Sequence, residues 1–174
     1  MKYRLVGSEM CIRDRNGAKG ITVHPRPDLR HIRPDDLELI SRVTSELSVE
    51  FNIEGNPFEG STGSYPGFMD LVENYIPTQC TLVPDTSNQL TSDHGWNVLS
   101  EKQKLIPIIQ QLHALKIRTV LFVDHDIDQI EAAKDIGIDR VEIYTGPFAK
   151  AFKDNDLEVI DCLLYTSDAA DEAD

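Results

Sequence analysis

The chain has few cysteines and no long apolar run, and each shortage excludes a class of protein. Its three cysteines, Cys11, Cys80 and Cys162, fit neither a disulfide framework nor the close spacing of a metal site. No apolar stretch approaches the roughly 18 residues that a membrane-spanning helix needs. Residues 1–15 have no apolar core of the signal-peptide type. We therefore expect a soluble, cytoplasmic protein in a reducing compartment, with no membrane partner.

Positive charge is also scarce. The 174 residues include 17 lysines and arginines against 30 aspartates and glutamates, which gives a formal net charge of −13. A nucleic-acid surface needs a basic patch, so we expect no nucleic-acid partner. Anionic small molecules are not excluded, because a local cationic pocket can lie within an acidic protein.

The two ends of the chain do not continue the patterns of their neighbours. Residues 5–15 read L-V-G-S-E-M-C-I-R-D-R, and residues 162–172 read C-L-L-Y-T-S-D-A-A-D-E. When the two segments are back-translated, their coding DNA reads as the two strands of one inverted repeat. That repeat resembles a transposon-end sequencing adapter. We therefore predict non-native segments at 1–15 and 162–174 around a genuine domain at 16–161, with natural tails as the alternative.

Between these ends, apolar runs alternate with amphipathic stretches. Strands are predicted at 20–24, 48–54, 79–84, 118–124 and 140–146, where apolar residues are continuous or alternate with polar ones. Helices are predicted at 68–75, 98–115 and 126–136, together with one that begins near Pro34 and a last one that begins near Asp154. Pro107 lies inside the range 98–115 and predicts a kink or a restart of that helix.

Strand and helix thus alternate five times without hairpin turns, which predicts parallel strands joined by right-handed crossovers. No strand is followed by Gly-x-Gly-x-x-Gly, and no Gly-Lys-Ser/Thr loop is present, so a nucleotide-binding fold lacks its signature. Polar groups lie at several strand ends instead, which favours a (β/α)8 TIM barrel. Because five units cannot close eight strands, we predict an α/β domain that is an incomplete barrel.

The densest group of polar side chains follows the first predicted strand. Residues 20–32 read G-I-T-V-H-P-R-P-D-L-R-H-I, and the polar residues are His24, Arg26, Asp28, Arg30 and His31. Two intervening prolines exclude a helix and hold the segment extended. Cationic and imidazole groups at the end of a strand predict a site at the top of the sheet or barrel. The alternative is a polar surface loop.

Five stretches resemble the pyridoxine 5′-phosphate synthase family. They are residues 20–32, E-F-N-I-E-G-N-P at 50–57, P-T-Q-C-T-L-V-P-D at 77–85, T-S-D-H-G-W at 91–96 and R-V-E-I-Y-T-G at 140–146. The resemblance implies a TIM barrel of which this chain supplies roughly strands two to six. It also implies condensation of 3-amino-2-oxopropyl phosphate with 1-deoxy-D-xylulose 5-phosphate to pyridoxine 5′-phosphate, phosphate and water. No metal or organic cofactor is implied, and the implied assembly is a homo-octamer.

The same resemblance implies proton acceptors, a carboxylate that stabilises charge, and substrate-binding residues. The implied proton acceptors are His24 and Glu54, and the implied charge-stabilising carboxylate is Glu142. The implied substrate-binding residues are Arg26, His31 and Thr91. The chemistry of these side chains agrees with the roles. Imidazole and a carboxylate of raised pKa can move protons at neutral pH, and arginine can bind a phosphate through two donors.

The residue pattern alone leaves alternatives open for the two glutamates. Glu54 ends an alternating strand, so it could be a solvated edge residue. Glu142 lies between Val141 and Ile143 and faces the barrel interior if those two pack under the helices. An unpaired carboxylate in that interior is costly without a role.

Other polar residues have simpler explanations. Two histidines lie close to aspartates and could suggest a metal site; the residues are Asp93, His94, Asp124, His125 and Asp126. We predict loop and helix-cap roles for them instead, and a packing role for Trp96.

The resemblance is incomplete. The family's N-x-D-H segment with its following arginine, its N-A-G-H-G segment and its final G-H phosphate element have no counterpart here. We therefore expect this chain to be inactive alone, with two strand edges and an apolar interior exposed. Another phosphate-binding barrel, such as an isomerase or aldolase, and a catalytically silent phosphate-binding module are the alternatives. No predicted strand ends in the lysine that an aldolase would favour.

Overall fold

The computed structural model describes residues 19–87 and 89–156, in which strands and helices alternate. The strands are β1 (Gly20–Val23), β2 (Glu50–Gly55), β3 (Gln79–Leu82), β4 (Arg118–Val123) and β5 (Arg140–Ile143). The helices are α1 (Pro34–Glu46), α2 (Phe68–Tyr75), α3 (Val98–Ala114), α4 (Ile127–Asp135) and α5 (Gly146–Asp154). The segments predicted to be non-native, 1–15 and 162–174, lie outside the described residues, so that division stays a prediction.

The five strands form one parallel sheet in the order β1-β2-β3-β4-β5. Each neighbouring pair is parallel, and a helix connects each strand to the next. This is the predicted α/β fold, with the strand order of a TIM barrel and part of its units. No helix in the described part of the chain is long and apolar enough to cross a membrane.

The two faces of the sheet differ in polarity. Apolar residues on the helix-covered face form the main core, in which Val23, Ile53 and Leu121 are buried. On the opposite face the Asn52 side-chain amide donates to the hydroxyl oxygens of Thr22 and Thr81, at 3.1 and 2.9 Å. The core that holds the fold together therefore lies between sheet and helices, and the other face is free to carry polar groups.

The expectation of an exposed apolar interior is therefore wrong for the middle of the sheet. Three strands place the hydrogen-bonded polar residues there, and the apolar residues Val120 and Phe122 are themselves only 4% and 8% exposed. The two strand edges are present as expected: among the described residues β1 pairs only with β2, and β5 pairs only with β4.

Two helix predictions need correction. α3 runs without interruption through Pro107, so the alternative of a restart is wrong, and the alternative of a kink stays a prediction. Pro107 and Gln103, whose carbonyl loses its helical partner, are both exposed, so water can bind that carbonyl. The last helix begins at Gly146 rather than near Asp154, because β5 is shorter than predicted and Pro147 is well suited to the first turn of a helix.

Candidate active site

The carboxyl ends of β1 and β2 bring His24 and Glu54 together. The register pairs Val23 with Ile53, so the residues that follow them are neighbours across the two strands. His24 Nδ1 lies 3.0 Å from Glu54 Oε1, and the two side chains are 19% and 20% exposed. β2 lies between β1 and β3 in the sheet. The alternative that Glu54 is a solvated edge residue is therefore wrong.

The pair has a definite chemical arrangement. The Glu54 carboxylate lies beside His24 Nδ1, a contact that favours a proton on Nδ1 and leaves Nε2 without a hydrogen bond among the described residues. An imidazole held in this way can accept a proton at Nε2, because the carboxylate stabilises the positive charge that forms. The arrangement therefore suits acid–base chemistry at the end of the strands.

Glu142 lies on β5, on the same side of the sheet as this pair. Val141 and Ile143 pack against the core under the helices, which turns Glu142 to the opposite face as the alternation predicted. The pKa of Glu142 is raised, first because protein atoms displace water from its carboxyl group and second because of the negative charge of Glu54. Two carboxylates within electrostatic reach, one of them with a raised pKa, can divide the roles of acid and base.

Arg26 is buried next to an acidic partner that the sequence analysis did not identify. Arg26 Nη2 donates to Asp85 Oδ2 at 2.6 Å, and the Ser92 hydroxyl donates to the same oxygen at 2.8 Å. The charge of Asp85 makes the burial of the guanidinium tolerable. A signal was present, because Asp85 is the first charged residue after a buried strand and closes the P-T-Q-C-T-L-V-P-D stretch.

His31 and Thr91 lie in loops above the same end of the sheet, but the structure does not join them to the other four residues. Both side chains are exposed. His31 has a φ of 62°, and its backbone bridges to Pro25, which folds its loop back on itself. Neither side chain hydrogen-bonds to the other predicted site residues within the described part of the chain. Their role in binding substrate stays a prediction.

A narrow crevice adjoins His24 and Arg26. Its polar lining also includes Asn56, Glu59, Tyr65 and Asp85. Burial raises the pKa of the Tyr65 phenol, and the charge of Glu59 adds to the effect, so Tyr65 stays protonated and able to donate. Sequence reasoning did not connect Asn56 and Tyr65 with the site.

The two aspartates that precede α4 have structural roles. The Asp126 side chain accepts from the Asp128 backbone N–H at 2.9 Å and caps the helix, and Asp124 accepts from the Gly95 N–H at 3.0 Å. The predicted cap role is confirmed for Asp126, and the predicted loop role for Asp124. In residues 19–87 and 89–156 no group of three or more histidine, cysteine, aspartate or glutamate side chains is arranged to hold a metal ion.

Trp96 is a packing residue, as predicted. It is only 4% exposed, and its indole Nε1–H donates to the Leu82 carbonyl at 3.0 Å. Its backbone N–H donates to the Phe122 carbonyl at 2.9 Å. These contacts attach the connection between β3 and α3, which carries Thr91 and Ser92, to the ends of β3 and β4.

Comparison with known proteins gives a consistent result. The family described as pyridoxal phosphate biosynthesis protein PdxJ matches residues 7–174. The chain is 51% identical over 135 residues to the pyridoxine 5′-phosphate synthase of Xanthomonas axonopodis pv. citri, an alignment that covers 78% of this chain and 53% of that protein. It is 48% identical over 134 residues to the enzyme of the same name from Xylella fastidiosa, covering 77% and 52%. The chain spans about half the length of the curated relatives it matches.

Proposed function

Since the chain belongs to the family of pyridoxal phosphate biosynthesis protein PdxJ, we propose that the complete protein is a pyridoxine 5′-phosphate synthase. It condenses 3-amino-2-oxopropyl phosphate with 1-deoxy-D-xylulose 5-phosphate to form pyridoxine 5′-phosphate, phosphate and water. The observation that carries the proposal is the 3.0 Å contact of His24 with Glu54 at the carboxyl ends of two parallel strands. Carboxyl ends of barrel strands are where the catalytic groups of TIM-barrel enzymes lie.

In this proposal His24 and Glu54 accept and return protons. Formation of a Schiff base, loss of water and ring closure each require proton transfers between carbon, nitrogen and oxygen atoms. The imidazole and the carboxylate that lies beside it supply the base. Glu142, which lies on the same face of the sheet as this pair, stabilises charge that develops during these steps.

Arg26 is the proposed ligand of a substrate phosphate. Asp85 occupies one of its nitrogens, and the remaining donors suit the oxygens of a phosphate monoester. His31 and Thr91, on loops at the same end of the sheet, are proposed to add an imidazole and a hydroxyl contact to the bound substrate.

We propose the remaining properties from the family. The reaction uses no metal or organic cofactor, because side chains can carry out its acid–base steps. The protein binds phosphorylated small molecules rather than nucleic acid or membranes, assembles as a homo-octamer and acts in the cytoplasm.

Turnover of the two phosphorylated substrates is the direct test. It is measured on the 174-residue chain and on a complete barrel, in which residues 19–156 replace the matching part of the Xanthomonas axonopodis synthase. We expect pyridoxine 5′-phosphate from the complete barrel and none from the chain alone. A folded complete barrel that binds inorganic phosphate but forms no product would support a silent binding module and overturn the proposed activity.

A further inference from the structure

Asp85 lies where three loops meet at the top of the sheet. Its Oδ2 atom accepts from Arg26, which follows β1, and from Ser92, which precedes α3. Its backbone carbonyl accepts from the Asn56 side-chain amide, which follows β2, at 2.8 Å. One aspartate thus connects the segments that follow three successive strands.

The contact with Arg26 uses only part of the guanidinium. Arg26 donates to Asp85 through Nη2 alone, and Nε and Nη1 form no hydrogen bond with the described residues. Arginine has five N–H donors in a rigid plane, so a single short contact can orient the plane and leave most donors available. The available donors suit an incoming anion.

The other carboxylate oxygen of Asp85 has an unusual environment. Asp85 is 3% exposed, and its Oδ1 is buried with no hydrogen-bond partner in the described part of the chain. A buried arginine–carboxylate pair is most stable when both oxygens meet two donors in parallel, and an unsatisfied buried acceptor is unfavourable. The one-sided contact is therefore not the most stable arrangement open to this pair.

We propose that Asp85 is a positioning residue that holds the Arg26 guanidinium in the orientation that binds the phosphate group of a substrate. The inference rests on the proposed role of Arg26 as a phosphate ligand. Asp85 acts through Arg26 and does not touch the substrate. Ser92 supports it by fixing Oδ2, which links the loop that carries Thr91 to the phosphate site.

The direction in which Asp85→Asn changes phosphate affinity distinguishes positioning of Arg26 from competition with phosphate. If Asp85 merely competed with phosphate for Arg26, Asp85→Asn would remove a negative charge and tighten phosphate binding. If Asp85 positions Arg26, the same variant loses the orientation and weakens binding despite the more favourable net charge. Asp93→Asn is the matched control, because it removes one negative charge from an exposed position in the same connection.

The experiment is titration of inorganic phosphate by calorimetry, on the 174-residue chain and on the complete barrel. We expect the Kd of Asp85→Asn to rise about tenfold, the loss expected when a charge-assisted contact is disordered. Ser92→Ala is expected to raise the Kd by about two- to threefold, and Asp93→Asn to leave it unchanged or lower it. In the complete barrel, Asp85→Asn should raise KM for a phosphorylated substrate by a similar factor and change kcat little.

Unchanged or tighter phosphate binding by folded Asp85→Asn overturns the inference, as does an absence of phosphate binding by both unmutated proteins. If circular dichroism shows that Asp85→Asn is unfolded, Ser92→Ala decides, and an unchanged Kd in that variant is the contrary result. Loss of phosphate affinity in the variants of a complete barrel that lacks turnover would support Asp85 and reject the proposed enzyme activity.

Discussion

At the scale of single residues, the contact between His24 and Glu54 determines what the imidazole can do. The glutamate orients the ring and compensates the charge that the ring acquires on protonation. Sequence periodicity locates both residues at strand ends. Their 3.0 Å separation depends on the register of β1 against β2, which places Val23 opposite Ile53.

Glu54→Gln tests this pair in the complete barrel. The amide keeps the shape of the side chain but removes the base, so we expect kcat to fall at least about 100-fold. The variant leaves the Arg26–Asp85 contact unchanged, so KM should stay within about threefold of the unmutated value. Loss of a charge-assisted contact to the substrate would raise KM by more than that. Steady-state kinetics check both values.

Glu50→Gln is the matched control for that variant. Glu50 begins the same strand, and its carboxylate pairs with Arg118 at the other end of the sheet. It should retain most of the activity. Equal activity of the Glu54→Gln and Glu50→Gln variants would show that Glu54 is not the base.

The raised pKa of Glu142 predicts a pH-dependent effect on stability. The folded protein holds the Glu142 proton more tightly than the unfolded chain does, because water is displaced from the carboxyl group and Glu54 repels its negative charge. The stability linked to this group is therefore present at low pH and is lost as pH rises through the raised pKa. Glu142→Gln removes that loss.

We accordingly expect the free energy of unfolding of Glu142→Gln, relative to the unmutated chain, to increase as pH rises from 4.5 towards neutrality. Urea unfolding at a series of pH values measures it. Glu131→Gln, an exposed position on α4, is the control and should show no such trend. A constant difference for Glu142→Gln across the series contradicts the prediction.

At the scale of the elements, the end of β2 is packed closely against the start of α2. A Cβ atom added at Gly55 would lie 2.4 Å from the Phe68 ring, and Phe68 is completely buried. Glycine is thus required here by the close approach of the helix. The same contact places the residues after Gly55, including Asn56, beside Arg26 and Asp85 in the crevice.

Gly55→Ala should therefore lower the free energy of unfolding by about 1–3 kcal/mol, the usual effect of overpacking a core. Chemical denaturation of the 174-residue chain measures the change. Gly60→Ala is the control in the same connection, because a Cβ there has no atom within 4 Å. Equal stability of the two variants would mean that α2 moves away from the strand at little cost.

Element boundaries were predictable where a local signal was strong. α2 has the predicted limits, Phe68–Tyr75, since a glycine precedes it and its apolar residues recur at helical spacing. The start of α5 was not predicted, because residues 140–146 were assigned to one strand. β5 ends at Ile143, and a helix begins at Gly146. Pro147 is well suited to the first turn of that helix.

At the scale of the whole molecule, the described sheet has two edges. β1 and β5 each have one neighbour in the described part of the chain, whereas β2, β3 and β4 each have two. Strand edges expose backbone N–H and C=O groups that a closed barrel would pair. The chain also spans only 53% of a curated relative.

We expect hydrogen exchange to report these edges. In the 174-residue chain, amides of β2, β3 and β4 should exchange more slowly than those of β1 and β5, because the central strands cannot open alone. In the complete barrel the difference should shrink, since both edges gain partners. Mass spectrometry of strand peptides makes the comparison, with α3 as an internal reference; equal protection of all five strands in the isolated chain would contradict it.

The sequence by itself determined the fold class and the order of the elements. Alternation of apolar strands with amphipathic helices, without hairpin turns, leaves parallel strands with crossover helices as the economical arrangement. The same local signals placed His24, Arg26, Glu54 and Glu142 at or near strand ends, because polar residues that follow apolar runs are visible in the chain itself.

Only the tertiary structure decided which of these groups meet. Arg26 and Asp85 are 59 residues apart in the chain and 2.6 Å apart in space, and no local pattern connects them. The unpartnered oxygen of Asp85 and the effect of Glu54 on the pKa of Glu142 depend in the same way on neighbouring strands. The physical reason is that register and loop packing result from the burial of the whole core, whereas periodicity reports only one element at a time.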